Sequence, residues 1–481
     1  MTKTWTINSF RGGNADWENK GIAGSFKPSS GLDIRKTRDT LSCSQKVTLC
    51  TTSDNSGVFD GLVMFFVNGD DGVTYAFADN GKIYAWSGTT WVLKYTDPDG
   101  AIKGAEQWYD NTPQAIIVWA TDTKIKQKII PGNATWSTGN DVSNIATNLT
   151  SATWHTMAIA NGNLQVCNSA YLGMYTFAKA WSQQIFTTTP DNILKTVIER
   201  LGNVVMGAVK KTNAEKGTLI EWIVGANGYT KKKEIPAKGV NAIVDGEVTI
   251  MQAGTNGGLI YSDFVNILPI TSFPGESGQS DPGGADNYRG VAMFGAYGVT
   301  AIDGDIAANL VMNGIYTIGR KKKNAQFVLN LDYPIDADRI SAVKACNGII
   351  FVAYKKGSTN RIAMIDSTLK GNAIYRTLDF TPPVMMPDNG AVWSLVQLEM
   401  LPLPASCAVE LWYRIDKSGL YLQAKLEGGS TQVVPNTDGS DMTRAVFQVA
   451  AQGRICELMV KLFSHNNATP EITKVITYFE V

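Results

Sequence analysis

A recurring pattern of short apolar strands separated by Asn-Gly and Asp-Gly turns is the feature that most constrains the fold of this 481-residue chain. The first copy begins at Gly61 and reads LVMFFV, NGDDG, VTYAFA, DNG, KIYAW and WVLKY. A spacing of about 40–50 residues between such copies is the period of β-propeller blades. The turns between the first and second strands of successive copies fall near Gly69, Asn111, Gly162, Gly202, Gly246, Gly298 and Gly348.

The turn chemistry favours hairpins, because both central residues of a type I′ turn need positive φ and Asn-Gly and Asp-Gly supply it. The pattern therefore predicts an all-β protein with a seven-bladed β-propeller over residues 61–385, and six or eight blades are the alternative counts. Only DNILKTVIERLG (Asp191–Gly202) has helical spacing, and its β-branched residues fit a strand equally well.

The segments that flank the repeats have a different character. Residues 1–60 are polar, Gly-rich and mostly aperiodic before the strand QKVTL, which predicts an extended N-terminal arm. The Pro-rich joint FTPPVMMPDNG (Phe380–Gly390) closes the repeats, and the alternating strands of residues 386–481 predict a C-terminal β-sandwich. Within the repeats, FPGESGQSDPGGADN (Phe273–Asn287) predicts a long surface loop.

The overall composition excludes several classes of protein. Apolar residues make up 44% of the chain, enough for a sizeable core, and 43 basic residues balance 43 acidic ones. A dedicated nucleic-acid binder normally carries a basic excess. The N-terminus MTKTWTINSF has no apolar signal-peptide region, and runs such as LVMFFV are far too short for a membrane helix. We expect a soluble protein made in the cytoplasm, without membrane insertion.

The cysteines and histidines offer little chemistry. No CxxC pair occurs, so we expect buried reduced thiols, and whether Cys43 and Cys50 meet across a hairpin stays open. A Ser-His-Asp triad would have to use His155 or His465, but no GxSxG motif is present. Neither histidine has a second zinc ligand at motif spacing. The cysteines are Cys43, Cys50, Cys167, Cys346, Cys407 and Cys456.

A propeller can also act on glycans, through paired carboxylates or a Tyr–Glu nucleophile. Glu221 and Asp263 are candidates for such a pair, but no spacing singles them out. The strings SGTTW (Ser87–Trp91), NATW (Asn133–Trp136) and SATW (Ser151–Trp154) are similar to sialidase Asp-boxes but lack the Asp. We interpret each Trp as closing a blade against its neighbour, and we expect no enzymatic activity.

Charged loops give no assigned site either. The acidic loops do not match the twelve-residue calcium loop, and turn chemistry explains their Asp and Asn residues. The basic clusters are short, which favours solvated loops, and a lysine ring facing DNA in an oligomeric channel is the alternative. We assign no catalytic, cofactor-binding or metal-binding residue. The acidic loops are Asn68–Gly72, Asp97–Gly100 and Asn436–Asp441, and the basic clusters are Lys210–Lys216, Lys231–Glu234 and Arg320–Asn324.

Several stretches resemble a family of tailed-bacteriophage virion structural proteins. The lead-in FRGGNADWENKGIAGSFKPSSGLDIRKTRDTLSCSQK (Phe10–Lys46) is similar to that family's Gly-rich arm, which precedes a GLD-(I/V)-(H/R) segment. The other similar stretches are YAFADNGKIYAW, YTDPDGAIKGAEQWYD, LIYSDFVN, GIYTIGRKKKNAQFVLNLDYPID and PLPASCAVELWYRIDKSG. Together they run through most of the chain.

The resemblance implies a non-enzymatic component of the virion, associated with the tail as a nozzle or hub ring, a tail-tip element or a fibre-attachment protein. The propellers of short-tailed phage nozzle and hub proteins are similar in length and layout. The implied partners are further copies in a ring, other tail and connector proteins, and packaged DNA or a host-surface glycan. A receptor- or glycan-binding adhesin is the second hypothesis, and a propeller-type glycoside hydrolase is the third.

Overall fold

The structure is a computed structural model, and it describes most of the chain. The described residues are 2–14, 24–35, 38–53, 56–111, 114–130, 136–137, 142–211, 216–237, 239–244, 249–253, 258–262, 266–271, 287–288, 291–296, 313–319, 326–382, 390–417, 419–434 and 442–481.

All regular secondary structure in these residues is β-strand. The first fourteen strands are β1 (Thr2–Ile7), β2 (Gly13–Asn14), β3 (Ser25–Ser30), β4 (Gln45–Leu49), β5 (Thr51–Thr52), β6 (Val63–Asn68), β7 (Thr74–Ala78), β8 (Lys82–Trp86), β9 (Thr90–Thr96), β10 (Gly104–Tyr109), β11 (Ala115–Ala120), β12 (Ile125–Ile130), β13 (Val142–Ala146) and β14 (Met157–Ala160). The next thirteen are β15 (Asn163–Asn168), β16 (Tyr171–Tyr175), β17 (Trp181–Thr187), β18 (Asn192–Arg200), β19 (Asn203–Lys210), β20 (Gly217–Trp222), β21 (Lys231–Ile235), β22 (Val240–Val244), β23 (Thr249–Ala253), β24 (Gly258–Ser262), β25 (Ile267–Thr271), β26 (Asn287–Tyr288) and β27 (Val291–Ala296). The last fourteen are β28 (Gly314–Gly319), β29 (Val328–Pro334), β30 (Arg339–Cys346), β31 (Ile349–Lys356), β32 (Thr359–Lys370), β33 (Ala373–Arg376), β34 (Ala391–Met400), β35 (Ala408–Ile415), β36 (Leu422–Gln423), β37 (Lys425–Leu426), β38 (Gln432–Val433), β39 (Arg444–Gly453), β40 (Cys456–Phe463) and β41 (Ile472–Glu480).

The chain divides into two compact units. We call one the blade unit, which consists of Thr48–Val299 and Ala337–Met364. We call the other the two-sheet unit, which consists of Met1–Val47, Thr300–Asp336 and Ile365–Val481.

The blade unit is a series of four-stranded antiparallel sheets in which each strand pairs with its neighbour in sequence. The described strands form β10–β13, β14–β17, β18–β21 and β22–β25 in this way. In the sheet β6–β9, the short strand β5 lies parallel beside β9. Four consecutive antiparallel strands per sheet is the arrangement of a propeller blade. The protein is therefore all-β with many four-stranded antiparallel sheets, as predicted.

The first strands of neighbouring sheets lie side by side. Strand β6 neighbours β10 and β30, β14 neighbours β10 and β18, and β18 also neighbours β22. Strand β30 neighbours β27 on its other side. The last sheet, which contains β30, thus lies against the first sheet, which contains β6, so the series closes on itself at this point.

Three of the predicted hairpin turns have type I′ geometry, whereas the turn at Gly69 has positive φ only at Gly72 and the described Asn111 has none. Both central residues have positive φ in the β14–β15, β18–β19 and β30–β31 turns, with φ between 49° and 82°. The side-chain amide of Asn161 donates to the Gly202 carbonyl of the next sheet at 2.9 Å. Asn347 donates likewise to Gly72, at 2.8 Å. The predicted turns at Gly246 and Gly298 lie outside the described residues.

Tryptophans fill the spaces between neighbouring sheets, as the sequence indicated. Trp91, which ends SGTTW, is fully buried and meets Phe351 of the last sheet edge-on, with ring centroids 5.2 Å apart. Trp136, which ends NATW, stacks on Trp119 at 6.0 Å. Burial of one such side chain contributes about 2–3 kcal/mol. Trp154, which ends SATW, is only partly buried and packs against the same cluster as Trp136.

The blade unit begins earlier than the predicted start at residue 61. The Cys50 amide donates to the Ile362 carbonyl at 2.9 Å, and the Phe59 amide donates to the Asn360 carbonyl at 3.0 Å. Residues before 61 therefore add to the sheet of β30, β31 and β32. This pairing joins the start of the repeat series to its last sheet. The sequence before residue 61 shows no turn signal that would indicate this pairing.

The two-sheet unit contains two larger sheets that share one hydrophobic core. One sheet has the order β1-β41-β34-β39-β37 and the other has β2-β3-β33-β40-β35-β36, with β38 also paired to β35. The shared core includes the fully buried Trp393, Phe447, Val409, Val460 and Phe479. The hairpin β28–β29 also belongs to this unit, and the Leu331 carbonyl accepts from the Gly31 amide at 3.0 Å.

The predicted extended N-terminal arm over residues 1–60 is not separate from the sheets in the described residues. Strand β1 pairs with β41 from Thr2↔Glu480 to Ile7↔Val475, and β3 pairs with β33. The boundary at 386 is also misplaced, because β33 precedes the Pro-rich joint and pairs with β40. Pairing between segments so far apart leaves no turn signal in the sequence.

One sheet decides two local questions that the sequence raised, and one of the two expectations is corrected. The segment with helical spacing, Asp191–Gly202, forms the strand β18, as its β-branched residues allowed. The basic cluster Lys231–Glu234, expected to be a solvated loop, forms most of the outer strand β21. The predicted loop Phe273–Asn287 lies outside the described residues except for Asn287, which begins β26.

Candidate functional site

Large apolar side chains are exposed at one end of three neighbouring sheets of the blade unit. Leu201 is 88% exposed in the β18–β19 turn, and Phe177 is 51% exposed in the β16–β17 turn. First-to-second and third-to-fourth turns of a four-stranded meander lie at the same end of the sheet. We call this surface the apolar end, and its members are Tyr109, Phe177, Leu201, Ile223 and Tyr229.

The backbone holds this surface in place across the sheets. The Phe177 amide donates to Asn163 Oδ1 at 2.9 Å, and the Phe177 carbonyl accepts from the Asn111 amide at 3.0 Å. The Asn161–Gly202 hydrogen bond joins the next pair of sheets at this end. A preformed apolar surface of this kind is typical of protein–protein contact.

Leu201 carries the signal that sequence reasoning missed. It has φ of 51° in a turn position where the equivalent turns have Asn161 and Asn347. A leucine with positive φ is strained, and at 88% exposure no burial offsets the strain. A Leu-Gly turn among Asn-Gly turns therefore marks a position where an exposed apolar group replaces the favoured residue.

A cavity of about 380 Å³ lies among the first strands of the blade unit's sheets. Glu106, Glu199 and Lys344 bring charge to a lining that is otherwise largely apolar, for example Ile159. Glu199 Oε1 accepts from the Gly202 amide at 2.5 Å, so this carboxylate is held by its own turn. The cavity is of ligand size.

His155 has no catalytic geometry. It is fully buried, with Nδ1 2.8 Å from the Cys167 carbonyl oxygen and Nε2 3.0 Å from the Asp122 carbonyl oxygen. Burial lowers the pKa of this imidazole. Ser151 Oγ donates to the Asp122 carboxylate, at 2.9 Å, so the three side chains do not line up as a triad. His155 fastens the β11–β12 turn to the following sheet.

The carboxylates proposed for glycoside chemistry are only partly described. Glu221 accepts from Asn203 at 3.0 Å and lies 3.0 Å from the Lys231 ammonium. Burial alone would raise the pKa of Glu221, but these two contacts outweigh it and lower the pKa. A general acid needs the opposite shift. Asp263 lies outside the described residues.

The acidic loops in described residues have structural partners. Asp71 accepts from the Val73 amide at 3.1 Å and from Tyr75 Oη at 2.7 Å, as turn chemistry predicted. Asp97 does more than form a turn, because its buried carboxylate pairs with Lys126 at 2.5 Å and accepts from Trp119 Nε1 at 2.6 Å. The loop Asn436–Asp441 lies outside the described residues.

The remaining charged and sulfur groups are also accounted for. All six cysteines are free and buried, as predicted, and Cys43 and Cys50 do not pair. Lys210 and Lys216 both pair with Glu234, while the cluster Arg320–Asn324 lies outside the described residues. Over the described part of the chain, His, Cys, Asp and Glu side chains do not gather in threes as metal ligands would. No helix there is long and apolar enough to cross a membrane.

A buried ionic cluster in the two-sheet unit was not foreseen. The Lys27 ammonium contacts both Asp379 and Glu457, and Arg414 Nε lies 2.5 Å from Glu457 Oε2. Lys27 and Glu457 are 1% and 0% exposed, and burial lowers the pKa of Lys27. The Tyr421 ring covers the cluster, 4.8 Å from the Arg414 guanidinium. The cluster joins β3 to β40 and β35.

Comparison with known proteins gives structural neighbours only. No protein-family model matches the chain, and no curated protein sequence matches it. The WD40 β-propeller domain of Doa1 is similar at a TM-score of 0.47 and 13% identity, over 67% of this chain and 97% of that one. The RRP9 WD40 repeats are similar at a TM-score of 0.46 and 10% identity, over 66% of this chain and 99% of that one. The Neurospora crassa Pan2 WD40 domain is similar at a TM-score of 0.43 and 8% identity, over 68% of this chain and 97% of that one. At such TM-scores the likeness adds nothing to the strand pairing described above.

Proposed function

We propose that this chain is a structural component of a tailed-phage virion, associated with the tail and acting by assembly rather than by catalysis. The observation that carries the proposal is the apolar end, a preformed surface of exposed aromatic and aliphatic side chains on a rigid β scaffold. The resemblance of the lead-in and repeat strings to phage virion proteins supports placing that assembly in a virus particle. Its location would then be the virion, in a nozzle or hub ring, at the tail tip or at a fibre attachment.

We further propose that the blade unit is a seven-bladed propeller. Seven strands, each from a different sheet, lie side by side in a series and would be the inner strands of the blades. They are β6, β10, β14, β18, β22, β27 and β30. The two sheets with a common core in the other unit would form a β-sandwich that includes β1 and β3. A propeller leaves only short, protected edges, so association would use its turns and loops.

The proposed partners are further copies of the chain in a ring and the adjoining tail or connector proteins. Phe177, Leu201 and Tyr229 would be buried in such contacts, because aromatic and aliphatic anchors dominate interface energetics. Packaged DNA would meet the ring through scattered lysines rather than a dedicated basic surface, since the net charge is zero.

Two measurements test the proposal. Mass spectrometry of purified particles should detect the chain at several copies per particle. Analytical ultracentrifugation of the purified full chain should show an oligomer that Phe177→Ser with Tyr229→Ser weakens at least ~10-fold, as expected for anchor residues.

The matched control is Leu422→Ser, which removes an equally exposed apolar side chain from the two-sheet unit. It should leave the oligomer unchanged. Absence of the chain from particles would refute the virion assignment. A monomer in solution that also remains unassembled in particles would refute assembly through the apolar end.

A further inference from the structure

A groove in the two-sheet unit has the shape and charge of a small-ligand site. Its volume is about 520 Å³, within the range of ligand pockets. One wall is the start of β4, with Gln45 and Lys46, and another is the end of β32, with Lys370. The floor and far side are the turns Gly371–Asn372 and Ser464–Asn466. We call it the Lys46–Lys370 groove.

Hydrogen bonds fix the turns that form the groove. Ser464 Oγ donates to the Gly371 carbonyl at 2.6 Å, and the Ser464 amide donates to Asn372 Oδ1 at 3.1 Å. The Lys370 amide donates to the Asn466 carbonyl at 2.6 Å, and the Gly371 amide donates to the Ser44 carbonyl at 2.9 Å. The groove is therefore pre-organised, which lowers the entropic cost of binding.

The residues that line the groove include two lysines, Lys46 and Lys370, and no carboxylate. Lys46 is exposed, and the Lys370 ammonium lies 4.0 Å from Asp33 Oδ2, at the limit of an ion pair. Asp366 is the other nearby carboxylate, and it accepts from Thr368 Oγ1 at 2.6 Å. Two ammonium groups that face one groove attract an anion more strongly than either does alone.

Further hydrogen-bonding groups line the rest of the groove. The side chains of Gln45, Asn372, His465 and Asn466 all border it, and the last three are exposed. Amides offer a donor and an acceptor side by side, which suits vicinal hydroxyl groups. A bare inorganic anion would use the lysines and leave these groups without a role.

We propose that the Lys46–Lys370 groove binds an acidic saccharide, a sugar whose carboxylate lies between the two ammonium groups and whose hydroxyls bond to the amides. Such a ligand satisfies the charge, the amides and the volume together. A nucleic acid fits less well, because its regularly spaced phosphates need a row of cations that the groove does not have. This site goes beyond the assembly role and does not depend on it.

The test is ligand-observed NMR titration of the full chain with trigalacturonate and with its fully methyl-esterified form. The ester keeps the size and hydroxyls but loses the negative charge. Trigalacturonate should bind at least ~10-fold more tightly than the ester, and Lys46→Gln should weaken its binding by ~10-fold or more, as expected for loss of a charge-assisted hydrogen bond. Lys370→Gln should have a similar effect.

The matched control is Lys425→Gln, an exposed lysine of the same unit on β37, which should bind like the unmodified chain. Equal affinity for acid and ester would overturn the role of the lysines. Inorganic phosphate that binds as tightly as trigalacturonate would overturn the saccharide assignment, and so would tighter binding of a short single-stranded DNA. Because Lys46 is exposed, a loss of binding in Lys46→Gln can be separated from misfolding by unchanged thermal unfolding.

Discussion

The blade unit and the two-sheet unit use the same kind of strand but differ in the distance along the chain between strands that pair. In the blade unit, β14 to β17 pair in succession within Met157–Thr187. In the two-sheet unit, Thr2 lies opposite Glu480. Turn residues in the sequence specify the pairing of strands that follow one another, whereas the pairing of distant strands depends on which buried faces fit together. The two units should therefore respond differently to changes at turns, at chain ends and in buried charge.

Buried charge marks the same contrast. In the blade unit, Asp97 and Lys126 pair between neighbouring sheets. In the two-sheet unit, Lys27, Asp379 and Glu457 join segments from opposite ends of the chain. A broken buried pair leaves an uncompensated charge, which costs more than the pair itself contributes.

The largest effect is expected for Glu457→Gln. The change removes the carboxylate that Lys27 and Arg414 share in a site closed to water, so the free energy of unfolding should fall by about 3–5 kcal/mol. Urea denaturation measures this change. The control Glu480→Gln alters an exposed carboxylate that accepts from Thr2 and should change stability by less than about 0.5 kcal/mol. A loss below about 1 kcal/mol for Glu457→Gln would contradict a cluster that holds the unit together.

Trp5→Ala tests whether the N-terminal residues belong to the two-sheet unit. Trp5 stacks on Phe380 with ring centroids 4.4 Å apart and packs against the shared core, although it is only half-buried. Its loss should destabilise the unit by about 2–3 kcal/mol, somewhat less than for a fully buried Trp. The neighbouring exposed Thr4→Ala is the control. An arm free in solution would give no change for either variant.

Lowering the pH from 7 to 5.5 should move the two units in opposite directions. Burial lowers the pKa of His155, so the unfolded chain takes up the proton first below about pH 6.5 and the blade unit loses stability. Burial raises the pKa of Asp332 to about 6, so the folded two-sheet unit takes up the proton first and gains stability. The gain from Asp332 should be on the order of 1 kcal/mol.

Hydrogen exchange corrected for intrinsic rates can follow β14–β15 and β28–β29 separately in one sample. His155→Gln should abolish the loss in the blade unit and leave the gain in the other. If the stability of both units changed in the same direction, other titrating groups would dominate, which would contradict the roles of His155 and Asp332.

The smallest effect is expected for Leu201→Asn, which should stabilise the blade unit by about 0.5–1 kcal/mol. Asparagine tolerates the φ of 51° at this position better than leucine does. Thermal unfolding measures the gain, and Leu422→Asn, at an exposed position without positive φ, should give none. A destabilised Leu201→Asn monomer would mean that the leucine already packs within the chain.

The sequence predicts the blade unit far better than the two-sheet unit, for a physical reason. Asn161–Gly162 and Asn347–Gly348 were readable as hairpin turns, because positive φ restricts which residues fit. The alternating polar and apolar residues of TKTWTI also indicate a strand, but no nearby residue indicates that this strand pairs with β41. The irregular segment that follows TKTWTI hides the fact that this strand belongs to a sheet.

The sites follow the same rule. Leu201 occupies a turn position where the equivalent turns have Asn, so the sequence alone could have identified it. Lys27 and Glu457 could not, because a single charged residue in a strand usually faces solvent and only tertiary pairing buries it. The Lys46–Lys370 groove unites three distant segments and has no motif.

The most direct test of the proposed virion role is a cryo-electron microscopy reconstruction of a candidate phage particle at a resolution that traces strands. We expect several copies of the chain arranged symmetrically in the tail, with Phe177, Leu201 and Tyr229 buried against a neighbouring subunit. Particles that contain the chain with these three side chains facing solvent would contradict assembly through the apolar end. Particles without the chain would contradict the virion role itself.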